Sequence, residues 1–230
     1  MICFNGLKLS RSLVFVVVLI AAAGLSTFAQ VVVDKTVATV SDGVKTELIT
    51  LSDLRWQLAL QPDANLNPIS SADLNRALQL QIDQRLIALE AERLPANPPS
   101  EEEIAAKIAE ILKYFPSTAA FESRLRSVGF TSIKDDNFER IISQRIAIDK
   151  YLDFRFRSFI VVTPADEENY YRDIFVPDFR RRFQGVGIPP LEEKRREINA
   201  LLTEDRVAAA ILAFLDEAKR RAEIVVLSEV

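Results

Sequence analysis

The sequence predicts a mainly α-helical fold with a small β element, in which an N-terminal hairpin pairs with a C-terminal strand. Apolar residues recur at helical spacing through the middle of the chain, and capping residues or prolines bound these stripes. The β-rich stretches lie towards the two ends of the chain. Because an isolated strand leaves its backbone groups without partners, we expect these stretches to pair with one another.

The first 29 residues are predicted to be a secretory signal peptide. Lys8 and Arg11 form a positive region, and an uncharged apolar run extends over residues 13–25. Thr27 and Ala29 occupy the −3 and −1 positions of a cut before residue 30. We therefore expect export, and no membrane insertion once the signal peptide has been cleaved.

Two alternatives remain for this leader. Ala21 and Ala23 offer a second cleavage position, and the uncharged stretch 12–30 is long enough to act as a membrane anchor. Polar residues at the end of that stretch favour cleavage, because a spanning helix needs about 20 predominantly apolar residues.

The mature chain opens with a hairpin pattern. Residues 37–40 alternate in the manner of a strand, Ser41-Asp42-Gly43 is a turn signal, and residues 44–49 form a second strand. A cap at Thr50 or Ser52 then begins a helix.

Capping signals divide the following residues into successive helices. Ser70 with Asp73 opens one helix, Ser100 with Glu103 forms a capping box for the next, and Gly129 closes another with a left-handed residue. The predicted core stripes include Leu74, Leu78, Ile82, Leu86, Leu89, Ile104, Ile108, Ile111, Leu112, Phe115, Phe121, Leu125, Val128, Phe138, Ile141, Ile142, Ile148 and Leu152.

The last third of the mature chain begins with an extended segment over residues 160–162. Thr163-Pro164 starts a helix with a favourable cap and first residue, and this helix continues past Pro177. Residues 184–190 hold two glycines and two prolines and are predicted to be a linker. A long amphipathic helix begins near Leu191, and its predicted inward residues are Ile198, Leu201, Leu202, Ile211, Leu212 and Leu215. Residues 224–227 are predicted to pair with residues 37–40.

The composition argues against catalysis. The chain has no histidine, its one cysteine is Cys3, and its one methionine is Met1. No Ser-His-Asp or Cys-His nucleophile, and no thiolate or imidazole metal site, can therefore be built from the mature chain. We predict no catalytic residue, no metal and no cofactor. The alternative is an enzyme that uses carboxylates alone. The formal charge of the mature chain is −6, which speaks against nucleic acid as a partner.

Two kinds of charge cluster have structural interpretations. The acidic triples at residues 101–103 and 166–168 lie in first helical turns, where negative charge stabilises the helix; metal binding or acid–base work is the alternative. The basic residues at 180–182 and 194–196 flank the linker. They are predicted to be solvated or paired within the chain, and an acidic partner is the alternative.

An aromatic-rich segment is the candidate binding surface. Phe154 and Phe156 are two residues apart, so one narrow helical stripe cannot bury both. Packing between helices is one interpretation, and a cradle for apolar segments of unfolded polypeptides is the other. The candidate client-binding residues are Phe154, Phe156, Phe159, Tyr170, Tyr171, Phe175, Phe179 and Phe183.

Two stretches resemble the SurA-type periplasmic chaperones. Residues 32–43, followed by Ile49-Thr50-Leu51-Ser52-Asp53-Leu54, resemble the start of that family's chaperone domain. Residues 137–171 resemble the long helix and Ile-Val-Val-Thr-Pro connection that join the family's chaperone core to its next domain. The resemblance implies that residues 30–183 are the N-terminal chaperone region and that residues 191–230 complete the same core.

One departure from the family pattern limits this resemblance. Family members carry parvulin-type peptidyl-prolyl isomerase domains between the middle helices and the C-terminal helix. Here residues 184–190 are all that stands in that position, and the histidines typical of the isomerase site are absent. The resemblance therefore implies a chaperone core without isomerase activity.

The expected function rests on the resemblance together with the composition. We expect an ATP-independent periplasmic holdase that binds unfolded polypeptides, including those bound for the outer membrane. The alternative is a non-catalytic exported adaptor or subunit that binds one folded partner. Exchange of the terminal strand between two copies would make a homodimer, which the sequence leaves open.

Overall fold

The computed structural model describes residues 34–94 and 97–230, so the predicted signal peptide lies outside the described residues. This part of the chain is mainly helical with one small antiparallel sheet. None of its helices is both long and apolar enough to cross a membrane. The elements are β1 (Thr36–Ser41), β2 (Thr46–Thr50), α1 (Leu51–Ala59), α2 (Ser71–Ala91), α3 (Glu101–Leu112), α4 (Thr118–Ser127), α5 (Asp136–Arg155), a 3₁₀ turn (Arg157–Phe159), α6 (Pro164–Tyr170), a π-helical turn (Tyr171–Phe175), α7 (Val176–Arg182), α8 (Leu191–Arg221) and β3 (Glu223–Val226).

The sheet joins the two ends of the described chain. Its strand order is β2-β1-β3, and both pairings are antiparallel. Ala38 lies opposite Val226, Val40 lies opposite Ile224, and the Leu227 amide donates to the Val37 carbonyl at 2.8 Å. The predicted pairing of the terminal strand with the N-terminal hairpin is therefore confirmed.

The hairpin turn is longer than the sequence pattern predicts. Gly43 has a φ of 87°, as the turn signal requires. The amides of Val44 and Lys45, however, donate to Asp42 Oδ1 at 2.9 and 2.8 Å. Residues 44 and 45 therefore belong to the turn, and the prediction that β2 begins at Val44 is wrong.

Capping explains where the helices begin. Capping boxes open α1 at Thr50 with Asp53, α3 at Ser100 with Glu103, and α6 at Thr163 with Asp166. In each box the hydroxyl accepts an amide hydrogen from the third helical residue, whose carboxylate accepts one from the cap residue. These helix starts lie at predicted positions.

Two apolar cores hold most of the molecule together. The first lies between the sheet, α1, α2, the C-terminal half of α5 and the C-terminal half of α8. The second lies between α3, α4 and the N-terminal half of α5, and the largest rings at its centre are Phe121 and Phe138. We call the elements around these two cores the body. The long helix α5 takes part in both cores and so fixes their relative position.

The remaining elements form a helical hairpin, which we call the arm. It consists of α6, the π turn, α7, residues 183–190 and the N-terminal half of α8. The π turn precedes Pro177, which has no amide hydrogen and whose ring crowds the carbonyl one turn earlier. The helix therefore widens locally and continues past this proline.

The buried stripe of α8 differs from the predicted one. Ile198 and Leu215 are buried as predicted, but Leu201 is 41% exposed and Leu212 is 64% exposed, so their inward assignment is wrong. Val207 is buried instead, nine residues or two and a half turns after Ile198, and therefore on the opposite side of the helix. The buried side changes because the N-terminal half of α8 packs against α6, whereas its C-terminal half packs against α2 and the first core.

Candidate functional site

The eight candidate aromatic residues divide among several places. Four of them form a ladder along one side of the arm, in which Tyr171 stacks on Phe175, Phe175 contacts Phe179, and Phe179 contacts Phe183. The ring centroids are 4.9–5.7 Å apart, and the members stand four residues apart, which places them on one helical face. The Tyr171 hydroxyl donates to the Pro189 carbonyl at 2.7 Å and ties the ladder to the linker.

The other four rings have separate surroundings. Phe156 is half-buried and packs on Phe214 in the first core, with the Arg155 guanidinium above both rings. Phe159 is 73% exposed on the 3₁₀ turn, and Tyr170 lines a shallow groove on the arm with Ile174 and Pro177. Phe154 is 60% exposed and lines a cleft in the body. The structure thus unites the ladder but does not bring all eight rings together.

The cleft that Phe154 lines is a large, mainly apolar hollow in the body. It lies between the C-terminal end of α2, residues 97–99 and the C-terminal half of α5, and its volume is about 640 Å³. A volume of this size is typical of sites that take a small molecule or a few side chains. Its lining residues are Ala88, Ala91, Glu92, Leu94, Asn97, Pro98, Pro99, Gln144, Ala147, Ile148, Lys150, Tyr151 and Phe154.

The chemistry of the cleft is apolar with a polar rim. Ile148 and Tyr151 are buried lining residues, while Leu94 and Phe154 are exposed ones. Burial raises the pKa of the Tyr151 phenol above its ordinary value. Lys150, which also lines the cleft, pairs with Glu103 at 2.6 Å. The arrangement can take up apolar side chains.

A second candidate feature is the outer edge of β3. This strand is the last in the strand order, so its outer backbone groups have no strand partner among the described residues. Val225 and Val226 are 40% and 54% exposed, and Leu227 beyond them is 55% exposed. An exposed apolar edge of this kind is a template for an added strand.

The acidic cluster at residues 166–168 and the basic residue Arg195 stabilise the arm, whereas the acidic cluster at residues 101–103 opens α3 in the body. Asp166 accepts the Thr163 amide and pairs with Arg206 at 2.8 Å; these contacts lower its pKa to about 2. Glu167 is buried and accepts hydrogen bonds from Asn199 and Arg195, which lower its pKa. Pairing of the basic cluster within the chain is therefore observed at Arg195. Among the described residues, no group of three His, Cys, Asp or Glu side chains could hold a metal ion.

The body cleft cannot be identified from the sequence. Most of its lining residues come from α2 and α5, where their spacing is that of ordinary members of helical stripes. Pro98 and Pro99 indicate only that the chain is not helical at this point. A hollow arises where two helices diverge, and residue spacing along one helix does not report that divergence.

Comparison with known proteins adds no assignment. No protein-family model matches this chain, and no curated protein matches it either. The resemblance to SurA-type chaperones therefore stays a prediction.

Proposed function

We propose that this chain is an ATP-independent holdase chaperone of the SurA type, without an isomerase domain, that acts in the periplasm on unfolded polypeptides. The observation that carries the proposal is the open apolar cleft of about 640 Å³ in the body. A hollow lined by Leu94 and Phe154 receives apolar side chains of many shapes, because burial of apolar surface is non-directional. Polypeptides bound for the outer membrane are natural clients, since their strands present apolar side chains at alternate positions.

The edge of β3 supports the same function in a second way. An extended client segment can add as a strand beside Val225 and Val226, and its backbone groups then pair regardless of sequence. Side-chain burial in the cleft and backbone pairing at the edge are each weak. Two weak contacts on one flexible client strengthen binding through effective concentration while allowing release without ATP.

The experiment measures how far the protein suppresses aggregation of a denatured outer-membrane β-barrel protein on dilution from urea, at near-stoichiometric ratio. We expect the wild type to lower light scattering, and Phe154→Glu to protect several-fold less because it places a charge at the apolar cleft. Phe159→Glu is the matched control: this ring is more exposed and is not among the cleft lining residues.

The outcomes separate the alternatives. Absence of protection at any ratio contradicts the holdase proposal. Equal loss in Phe154→Glu and Phe159→Glu contradicts the assignment of client binding to the cleft. Recovery of one saturable folded partner, with indifference to unfolded chains, supports an adaptor instead.

A further inference from the structure

A small polar cavity lies between α1, α2 and α5. It adjoins the apolar cleft, because Gln144 and Ile148 line both. Its volume is about 30 Å³. It is lined by Asp53, Trp56, Gln57, Gln81, Gln84, Arg85, Arg140, Ile141, Gln144, Arg145 and Ile148. Four glutamines and three arginines lie around this small space, where Gln57 and Gln81 are buried and need hydrogen-bond partners.

Hydrogen-bond donors outnumber acceptors around this cavity. Gln57 is buried, and its side-chain oxygen accepts from Arg145 Nη2. The same oxygen also faces the amide nitrogens of Gln81 and Gln84 at 3.4 and 3.5 Å, which is the outer limit for a hydrogen bond. One oxygen is thus the acceptor for three donors, and two of these hydrogen bonds are long and weak.

Two donors have no hydrogen-bond partner among the described residues. The Nε atoms of Arg85 and Arg145 are both buried and both unsatisfied. An unsatisfied buried donor is destabilising, and more so when the group is charged. A site with several such donors is therefore incomplete without an acceptor.

The charges around the cavity do not balance. Arg85 lies 3.5 Å from Asp53 and 4.0 Å from Glu47. Among the described residues no carboxylate comes within 4.0 Å of the Arg145 guanidinium. Asp149 acts on it only at longer range, and burial lowers the pKa of Arg145. Arg140, which is exposed, adds a third positive charge at the rim of the cavity.

We infer that this cavity is a binding site for a single monatomic anion of chloride size. Cavities need about 10–15 Å³ to hold one water, so a volume of about 30 Å³ suits one ion of chloride size better than a polyatomic anion. The anion accepts hydrogen bonds from Arg145 and from the glutamine amides, and it supplies the missing negative charge. Because three helices of the body meet here, its binding stabilises the folded chain.

The experiment compares the melting temperature in sodium chloride with that in sodium gluconate at equal ionic strength and fixed buffer. We expect chloride to raise the wild-type midpoint by about 3 °C at roughly 0.2 M, the size of shift that mass action on the folded state gives when the site is mostly occupied. Gln57→Glu places a fixed carboxylate beside Arg145, so its midpoint no longer depends on chloride. Gln79→Glu makes the same charge change on the exposed side of α2 and keeps the wild-type response.

A wild-type midpoint that is equal in the two salts overturns the inference, as does an equal rise in all three proteins, which reports a general salt effect. If Gln57→Glu does not fold, the test is the crystal structure of the wild type grown in sodium bromide. An anomalous peak beside Arg145 supports the anion site, and density without an anomalous signal overturns it.

Discussion

The body and the arm are both helical, but they are held together by different forces. The body buries the apolar side chains of two cores, including Phe121, Phe138 and Ile142 at no more than 1% exposure. In α6, the π turn and α7, the one buried side chain is the charged Glu167. The body is therefore stabilised mainly by apolar burial, whereas the arm has Ile198 of α8 as a buried apolar side chain and otherwise depends on caps, ion pairs and half-buried rings.

This difference predicts a difference in local stability. Segments with few buried apolar contacts open at lower free energy than the core of the same protein. We expect the arm to open locally while the body stays folded.

The largest effect is expected from truncation of the second core. Phe121→Ala removes a fully buried ring that contacts Phe115 and Phe138, and it should lower the free energy of unfolding by about 3–5 kcal/mol. The matched change in the arm is Phe183→Ala, which truncates an exposed ring at the end of the ladder. It should cost less than about 0.5 kcal/mol in urea denaturation. Equal costs would contradict the contrast between body and arm.

Removal of the terminal strand should have the next largest effect. Deletion of residues 223–230 removes the backbone bonds to β1 and the packing of Ile224 and Val230, so we expect a loss of about 2–4 kcal/mol in thermal unfolding. Val225→Thr changes an exposed side chain on the same strand and should stay within about 0.5 kcal/mol of the wild type. An unchanged melting temperature after the deletion would show that β3 adds nothing to the body.

A smaller effect, confined to the arm, is expected from Glu167→Gln. The carboxylate joins α6 to Asn199 and Arg195 of α8, and the amide leaves this contact weaker. We expect hydrogen exchange in residues 164–182 to speed up by about tenfold, without a change in the body. Glu168→Gln, at the neighbouring exposed position, is the control. Faster exchange in α5 would mean that arm and body open together.

The smallest effect is expected from acidification of the solution. The folded-state pKa of Asp166 is lowered to about 2, so its contribution is present above the unfolded pKa near 4 and is lost as pH falls towards 2. The amide signals of α6 should change in this interval before the fluorescence of Trp56, the only tryptophan, which lies in the body. Asp166→Asn should flatten the α6 response. A simultaneous change in both signals would contradict separate opening of the arm.

Much of the fold could be predicted from residue order because its determinants are local. Thr50, Ser100 and Thr163 begin helices through contacts with residues three positions away, and Gly43 makes its turn through its own backbone freedom. The pairing of β3 with β1 is long-range, but it was predictable because few other strands were available. The candidate aromatic residues were found in the same way, as a local density of rings.

The sequence by itself determined the helices, their caps, the closing strand and the chemistry open to the chain. Only the tertiary structure decided which rings meet, since the ladder, the Phe156 contact with Phe214 and the cleft at Phe154 depend on how separate helices approach. It also decided that α8 turns one side to the arm and another to the body, and that Arg145 lies among glutamines without a counter-charge within 4.0 Å among the described residues. Hollows and charge balance are properties of the space between elements, and spacing within one element does not encode that space.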